Sequence, residues 1–293
     1  MKTFRDAIRS KAFVIAAESV LKPESNAETI SIQADALRDF VDGVILTDNQ
    51  HGRVHMSSLA AGRLMLDNEL DPIVQFSCRN RNRIALLGDL LGAAALGISS
   101  LLLVRGEGVP EGFDPRPKAV FDLNGAELIA TASTMNSDER LSRSPDFIIG
   151  GLVTPHGPKP GWVPRKLAER ADAGLHYAVC HLCMDMTLMQ DYMRHLVASR
   201  LTHRVAVLAT TAILSSADEA RWLRDNRSNA MIPDSVIERL DTASDPISEG
   251  MRICAEQLAT LSETPGISGA NIISPTDLAM IPTAISESGV PRS

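Results

Sequence analysis

Carboxylates, imidazoles and guanidiniums recur in this sequence at one kind of place, directly after a short apolar run. Glu18 follows one such run, and Thr47, Asp48 and Asn49 end the next. Gln75 to Cys78 lead into Arg79, Asn80, Arg81 and Asn82. Arg105, Gly106 and Glu107 follow Val104, and Thr154, Pro155 and His156 follow Val153. Cys180, His181 and Cys183, then Thr210 and Thr211, complete the set. Carboxyl and imidazole groups donate or accept protons near neutral pH once their surroundings tune them. Arginine forks suit phosphates and carboxylates. The Cys180-His-Leu-Cys183 group has the spacing met in redox and zinc sites. A zinc site would need Cys78 or His156 to join it, and nothing in the spacing enforces that. Small apolar-tolerant side chains at a strand end are the preferred reading there. Met184, Met186, Met189 and Met193 follow helical spacing in part and read as packing.

Bringing these residues together is a task for the elements between them. Apolar runs at 13–17, 43–47, 72–78, 99–104, 147–153, 176–180, 205–209 and 269–273 alternate with amphipathic helical stretches. Those stretches fall at 27–40, 56–67, 84–96, 125–134, 165–173, 187–199 and 216–224. Two more, at 234–241 and 247–262, precede the eighth run, and 276–286 follows it. Most runs are continuously apolar and do not alternate, which is the pattern of parallel strands covered on both faces. Eight such units predict an α/β fold: a single (β/α)8 TIM barrel with an extra helical stretch before the eighth strand, spanning 1–293 as one domain. A doubly wound sheet would use five or six strands. Barrels of this kind carry their working groups at the C-terminal ends of the strands, so the residues named above are expected to share one mouth.

The net charge of −7 argues against nucleic acid as a partner, since no basic face is available to neutralise phosphates. Lys2, Arg5, Arg9 and Lys11 precede an apolar run, 12–17, that is too short for a signal segment and ends at Glu18. No run approaches the ~18 apolar residues of a membrane span. The chain reads as cytoplasmic. Four cysteines are too few for a disulfide scaffold. Phosphate-loop signatures are missing, and no strand-end lysine offers a Schiff base. No metal set is expected.

Three stretches taken in order carry a family resemblance: Gln75-Phe-Ser-Cys-Arg-Asn-Arg-Asn82, Leu90-Leu-Gly-Ala-Ala-Ala-Leu-Gly-Ile98 and Leu101-Leu-Leu-Val-Arg-Gly-Glu107. They resemble the third and fourth units of methylenetetrahydrofolate reductases. Val120-Phe-Asp-Leu123, Phe147-Ile-Ile-Gly150, Ala171-Asp-Ala-Gly174, Ile232-Pro-Asp-Ser235 and Ser248-Glu-Gly250 extend the similarity over nearly the whole chain.

The resemblance implies an oxidoreductase that interconverts 5,10-methylenetetrahydrofolate and 5-methyltetrahydrofolate. A flavin, FAD, held in the mouth would take hydride from NADH or NADPH. Glu18 matches the carboxylic acid that serves this family as general acid toward the folate, and so is expected both to catalyse and to contact substrate. The matching cofactor positions are Thr47, Gln75 (where a histidine is usual), Arg105, Gly106, Glu107 (an aspartate in typical members) and Arg170 (for a lysine near the phosphates). His181 stands at a folate-binding glutamine position. Val163 takes the place of an acidic contact to adenosine, and Ala217 that of an aromatic side chain stacking on nicotinamide. Arg79 and Arg81 would meet phosphates or the glutamate tail of folate, or else stand as solvated loop charges. The alternative is a flavin-free folate-binding barrel, either a direct nicotinamide-dependent reductase or a carrier linked to methyl transfer. A tetrahydrofolate derivative is the expected small-molecule partner, and by resemblance a homo-oligomer the expected assembly.

Overall fold

The computed structural model describes residues 3–19, 21–109, 112–141 and 144–291, and in it the apolar runs become eight strands. These are β1 (Val14–Ser19), β2 (Gly43–Leu46), β3 (Pro72–Ser77), β4 (Ser100–Val104), β5 (Ile148–Val153), β6 (Tyr177–Leu182), β7 (Ala206–Ala212) and β8 (Ile267–Ile273). Each pairs in parallel with the next, and β8 returns to β1 to close the barrel. Successive side chains point to opposite faces. Val14 and Ala16 of β1 therefore join Ile45, Ile73, Leu102, Tyr177 and Leu208 in a core inside the barrel. Ile15 and Ala17 enter the layer between strands and helices. Both layers are apolar, which is why the runs are continuous. Each fully buried Leu, Ile or Phe contributes about 1.5–3 kcal/mol relative to exposure, so closure does not depend on the polar mouth.

The surrounding helices are α1 (Phe4–Ser10), α2 (Ala27–Leu37), α3 (Ser58–Asp67), α4 (Arg83–Ala95), α5 (Gly125–Met135), α6 (Arg165–Asp172), α7 (Met186–Ala198), α8 (Ala217–Asn226), α9 (Asp234–Thr242), α10 (Pro246–Glu263) and α11 (Met280–Ser288). Side chains of Asn82, Asn124, Asp185 and Ser216 cap α4, α5, α7 and α8 by accepting from first-turn amides. The caps of α4, α7 and α8 begin those helices a few residues beyond the preceding strand end, which keeps three loops of the mouth short, whereas a long segment separates β4 from α5. α9 and α10 form the extra helical stretch before β8. The final helix starts at Met280, later than the expected 276, because Asp277 turns the chain by accepting the Ala279 N–H. Among the described residues no helix is long and apolar enough to cross a membrane.

α1 lies outside the sequence expectation and closes the lower end of the barrel. Phe4 is fully buried and meets the Tyr177 ring edge-on at 5.2 Å. Its N–H donates to Asp71 at 2.7 Å. The Tyr177 hydroxyl donates to the Leu101 carbonyl at 2.7 Å, and its ring lies against Gly150, where a Cβ would come within 2.2 Å of it. With this floor in place, the interior opens at the C-terminal strand ends.

Candidate active site at the barrel mouth

A cavity of about 300 Å³ occupies the mouth. Glu18, Gln75, Arg105, Gly106, Glu107, Arg170 and His181 all line it, drawn from β1, β3, β4, α6 and β6 or the turns that follow them. Thr47 is the exception: it is buried directly after β2 and is not part of the lining. The neighbouring Asp48 lines the cavity instead. The lower wall is apolar, with Ile45, Leu102, Val104, Leu152 and Val179.

Glu18 accepts two hydrogen bonds from Arg227, Nη1 to Oε1 at 3.0 Å and Nη2 to Oε2 at 2.8 Å, and one from Gln50 Nε2 at 3.3 Å. A carboxyl group that accepts at both oxygens from a guanidinium is ionised. Arg227 sits where α8 ends. Its N–H donates to Leu223 O, its carbonyl accepts from Ala230, and Met231 then bonds to Leu182 of β6. This short turn carries a guanidinium from outside the strand ends into the mouth. No pattern in the sequence marks Arg227, because the pair joins residues 209 apart.

Asp48 accepts from the Ser77 N–H at 2.8 Å and from both ends of the Arg81 guanidinium. Burial works against its charge, but the hydrogen bonds and positive charge of Arg81, with help from Ser77, hold its carboxyl below the usual value. Arg81 also pairs with Asp89. Arg79, 4% exposed, donates instead to neutral acceptors, Asn80 Oδ1 and the Asn49 carbonyl. Arg105 lies over the Phe121 ring, 4.2 Å from its centroid. Gly106 has φ +82°, and a Cβ there would come 3.1 Å from the Cβ of Arg79, so both the backbone angle and the close approach favour glycine.

Across the mouth, Arg170 turns its guanidinium onto the Leu152 carbonyl, and burial lowers its pKa. His181 is lowered first by burial and then by Arg227, while Glu107 and Glu18 act in the opposite sense. Its imidazole is neutral at pH 7 as a result. Deeper still, Thr210 Oγ1 donates to the Cys180 carbonyl, and Asn271 Nδ2 reaches Thr210 at 3.3 Å. Asn271 Oδ1 has no hydrogen-bond partner among the described residues. A lone asparagine inside the eighth apolar run was the available signal for this group.

The Cys180 and Cys183 thiols are buried and pushed upward, that of Cys183 to about 11, so neither presents a ready thiolate. Among the described residues no group of three or more His, Cys, Asp or Glu has a metal-binding arrangement. His156 packs on Trp162 and Tyr192, away from the cavity lining.

A closed barrel of eight parallel strands, with a cleft of titratable groups at their C-terminal ends, places the protein in the (β/α)8 class. Within that class the chain belongs to the methylenetetrahydrofolate reductase family, whose model matches residues 3–270. No curated protein matches the sequence. Among solved structures, an uncharacterised protein from Clostridium thermocellum, described as binding two copies of 5-methyl-5,6,7,8-tetrahydrofolic acid, has a TM-score of 0.62 at 13% identity. That likeness covers 97% of this chain and 96% of the other. Oxaloacetate acetylhydrolase, in complex with 3,3-difluorooxalacetate, has a TM-score of 0.50 at 12% identity over 99% of this chain and 88% of its own. At such identities the likeness is one of fold.

Proposed function

We propose that this protein, acting as one domain over residues 1–293, interconverts 5,10-methylenetetrahydrofolate and 5-methyltetrahydrofolate in the cytoplasm, using NADH or NADPH. The observation that carries the reading is the convergence of Glu18, Glu107 and His181 on one cavity at the barrel mouth in a chain of this family. The methyltetrahydrofolate bound by the Clostridium thermocellum protein supports a folate as the ligand.

Opening the bridging methylene to an iminium requires a proton at a folate nitrogen, and Glu18 is the residue we assign to deliver it. Held by Arg227 and Gln50 it is a carboxylate, so it must take up a proton and part from Arg227 before donating. Once deprotonated, it returns to a carboxylate beside the cationic iminium, which favours that charge. Neutral His181 and unpaired Asn271 Oδ1 are acceptors for ring N–H groups. The apolar lower wall excludes water from beneath the ring.

The residues present fit a flavin ring: the apolar lower wall, the unpartnered Asn271 Oδ1 and the Arg105-Gly106-Glu107 turn would hold it, and Arg170 would meet its phosphates on leaving the Leu152 carbonyl. When bound, FAD supplies a two-electron relay between nicotinamide and folate. A second reading, hydride passing directly from nicotinamide to folate or a flavin-free folate carrier, is favoured by two positions that the resemblance assigns to the cofactor. Val163 is apolar, 61% exposed and outside the cavity lining, and Arg170 is turned onto a carbonyl.

Purified protein decides between them. A yellow solution whose visible band bleaches with reduced nicotinamide and recovers with methylenetetrahydrofolate is expected from the first reading. Colourless protein that oxidises reduced nicotinamide only when folate is added supports the second reductase, and colourless protein that only binds folate supports the carrier. Absence of both folate binding and turnover would sink all of them.

A further inference from the structure

The two arginines that follow β3 have opposite electrostatic settings. Arg81 is saturated by carboxylates: Asp48 takes both its terminal nitrogens and Asp89 its Nε. Arg79, two residues earlier and nearly fully buried, has no ion-pair partner among the described residues. Its Nε donates to Asn80 Oδ1 at 2.9 Å and its Nη2 to the Asn49 carbonyl at 2.8 Å. Both acceptors are neutral, so they orient the guanidinium and leave its charge uncompensated. A buried cation is costly unless something of opposite charge meets it.

The setting of Arg79 is also built to hold still. Its carbonyl accepts from Val120 N–H at 2.8 Å, and Phe121 N–H bonds to Cys78 beside it. Asn49, whose carbonyl receives the guanidinium, is a non-glycine residue at φ 49°, fixed by its N–H donating to His55 Nε2 at 2.8 Å. Gly106, just beyond β4, leaves the Arg79 stem its room, since a Cβ there would come 3.1 Å from that of Arg79. Next to it Arg105, exposed and stacked on Phe121, adds a second positive charge without an acid partner among the described residues. Arg79 and Arg105 both line the mouth cavity. The nearby Asp48 is neutralised by Arg81, and Glu107, exposed at the same strand end, exerts its field on His181.

We propose that Arg79, supported by Arg105, forms an oxyanion-binding subsite on the β3–β4 side of the mouth, which takes a carboxylate or phosphate borne by a larger ligand. Under the function proposed above, three ligands carry such a group: the folate through its glutamate carboxylates, and the nicotinamide dinucleotide and FAD through their phosphates. The subsite itself requires none of these assignments, because the geometry asks only for an oxyanion within reach of the guanidinium fork.

Inorganic phosphate is the first probe, titrated against the full-length protein and read as a rise in melting temperature. Arg79→Gln is expected to abolish that rise and Arg79→Lys, which keeps the charge but loses the fork, to reduce it. Arg140→Gln, on the exposed surface, serves as the control and should behave as wild type. If Arg79→Gln does not fold, Arg79→Lys against wild type carries the comparison. Equal phosphate shifts in wild type and in the folded Arg79 variants would overturn the subsite, as would no shift in wild type.

The source of the anion is then read from matched ligands. A loss of about tenfold or more in affinity for tetrahydrofolate, with tetrahydropteroate unaffected, identifies the glutamate tail. The same loss for NADH, with reduced nicotinamide riboside unaffected, identifies the nicotinamide dinucleotide phosphates, and for FAD, with riboflavin unaffected, those of the flavin. Protein that binds no folate at all but responds to phosphate through Arg79 would remove the proposed function and leave the subsite standing.

Discussion

Arg227 holds Glu18 by a two-pronged ion pair in the barrel mouth, with N···O distances of 3.0 and 2.8 Å, and both side chains are largely buried. Removing either partner leaves a poorly solvated charge, which costs more than the pair itself contributes. A double-mutant cycle of Glu18→Gln and Arg227→Gln, followed by urea unfolding, is therefore expected to give a coupling energy of about 1–3 kcal/mol. Strictly additive effects would mean that the two side chains do not meet in solution.

Glu18 also carries the proton-transfer role proposed for the site. Glu18→Gln keeps the shape and the hydrogen-bonding reach while removing the transferable proton. Turnover of methylenetetrahydrofolate should fall by about 10²–10⁴-fold, with folate affinity changed far less. Undiminished turnover would leave Glu18 as no more than the structural partner of Arg227.

The barrel was readable because its chemistry is repetitive. Ile15 and Ala17 face the helices while Val14 and Ala16 face the interior, so each run had to be apolar throughout, and eight such runs leave few other architectures. The mouth was readable for a related reason: Glu18, Glu107 and His181 sit at or just beyond strand ends, and topology alone brings those ends together. Arg227 was not readable, since its partner lies at the other end of the chain and its turn is set by a contact to Leu182. α1 escaped for want of length: seven residues bury only Phe4 and Ala7, too few to establish a period. Thr47 has the expected place in the chain, yet the lining passes it by and takes Asp48.

His181 offers a direct reading of the field in the cavity. Burial, then the charges of Arg227 and Arg170, lower its pKa from 6.5, against the opposing influence of Glu107 and Glu18. Its imidazole should titrate below pH 6.5 when followed by NMR. Arg227→Gln removes a charge that disfavours the imidazolium, so the midpoint should move upward. A wild-type midpoint above 6.5, or a downward move in the variant, would contradict the arrangement.

At the opposite end of the barrel, Asp71 makes stability depend on pH in an unusual sense. It is 2% exposed, and its Oδ2 alone receives both donors, the Phe4 N–H at 2.7 Å and the Ser100 hydroxyl at 3.1 Å. Oδ1 is thus left to carry a proton without disturbing either bond. Burial raises its pKa to about 6 from 3.8, with the Phe4 and Ser100 hydrogen bonds and the charge of Arg5 opposing and that of Asp6 assisting. The folded state therefore binds this proton more tightly than the unfolded chain does. The stabilisation is fully present below pH 3.8 and is lost as pH rises through about 6. The difference across that window is on the order of 3 kcal/mol. Other carboxylates titrate in the same range, so the informative quantity is wild type against Asp71→Asn at each pH. The amide oxygen of that variant can still accept the Phe4 N–H, and the side chain carries no charge to bury. Urea unfolding from about pH 3 to 7.5 should show wild type losing ground to the variant as pH rises, with the gap flat below pH 3.8, widening from there to about 6 and flat again above. Parallel curves for the two proteins would mean that the α1 floor does not keep Asp71 from water.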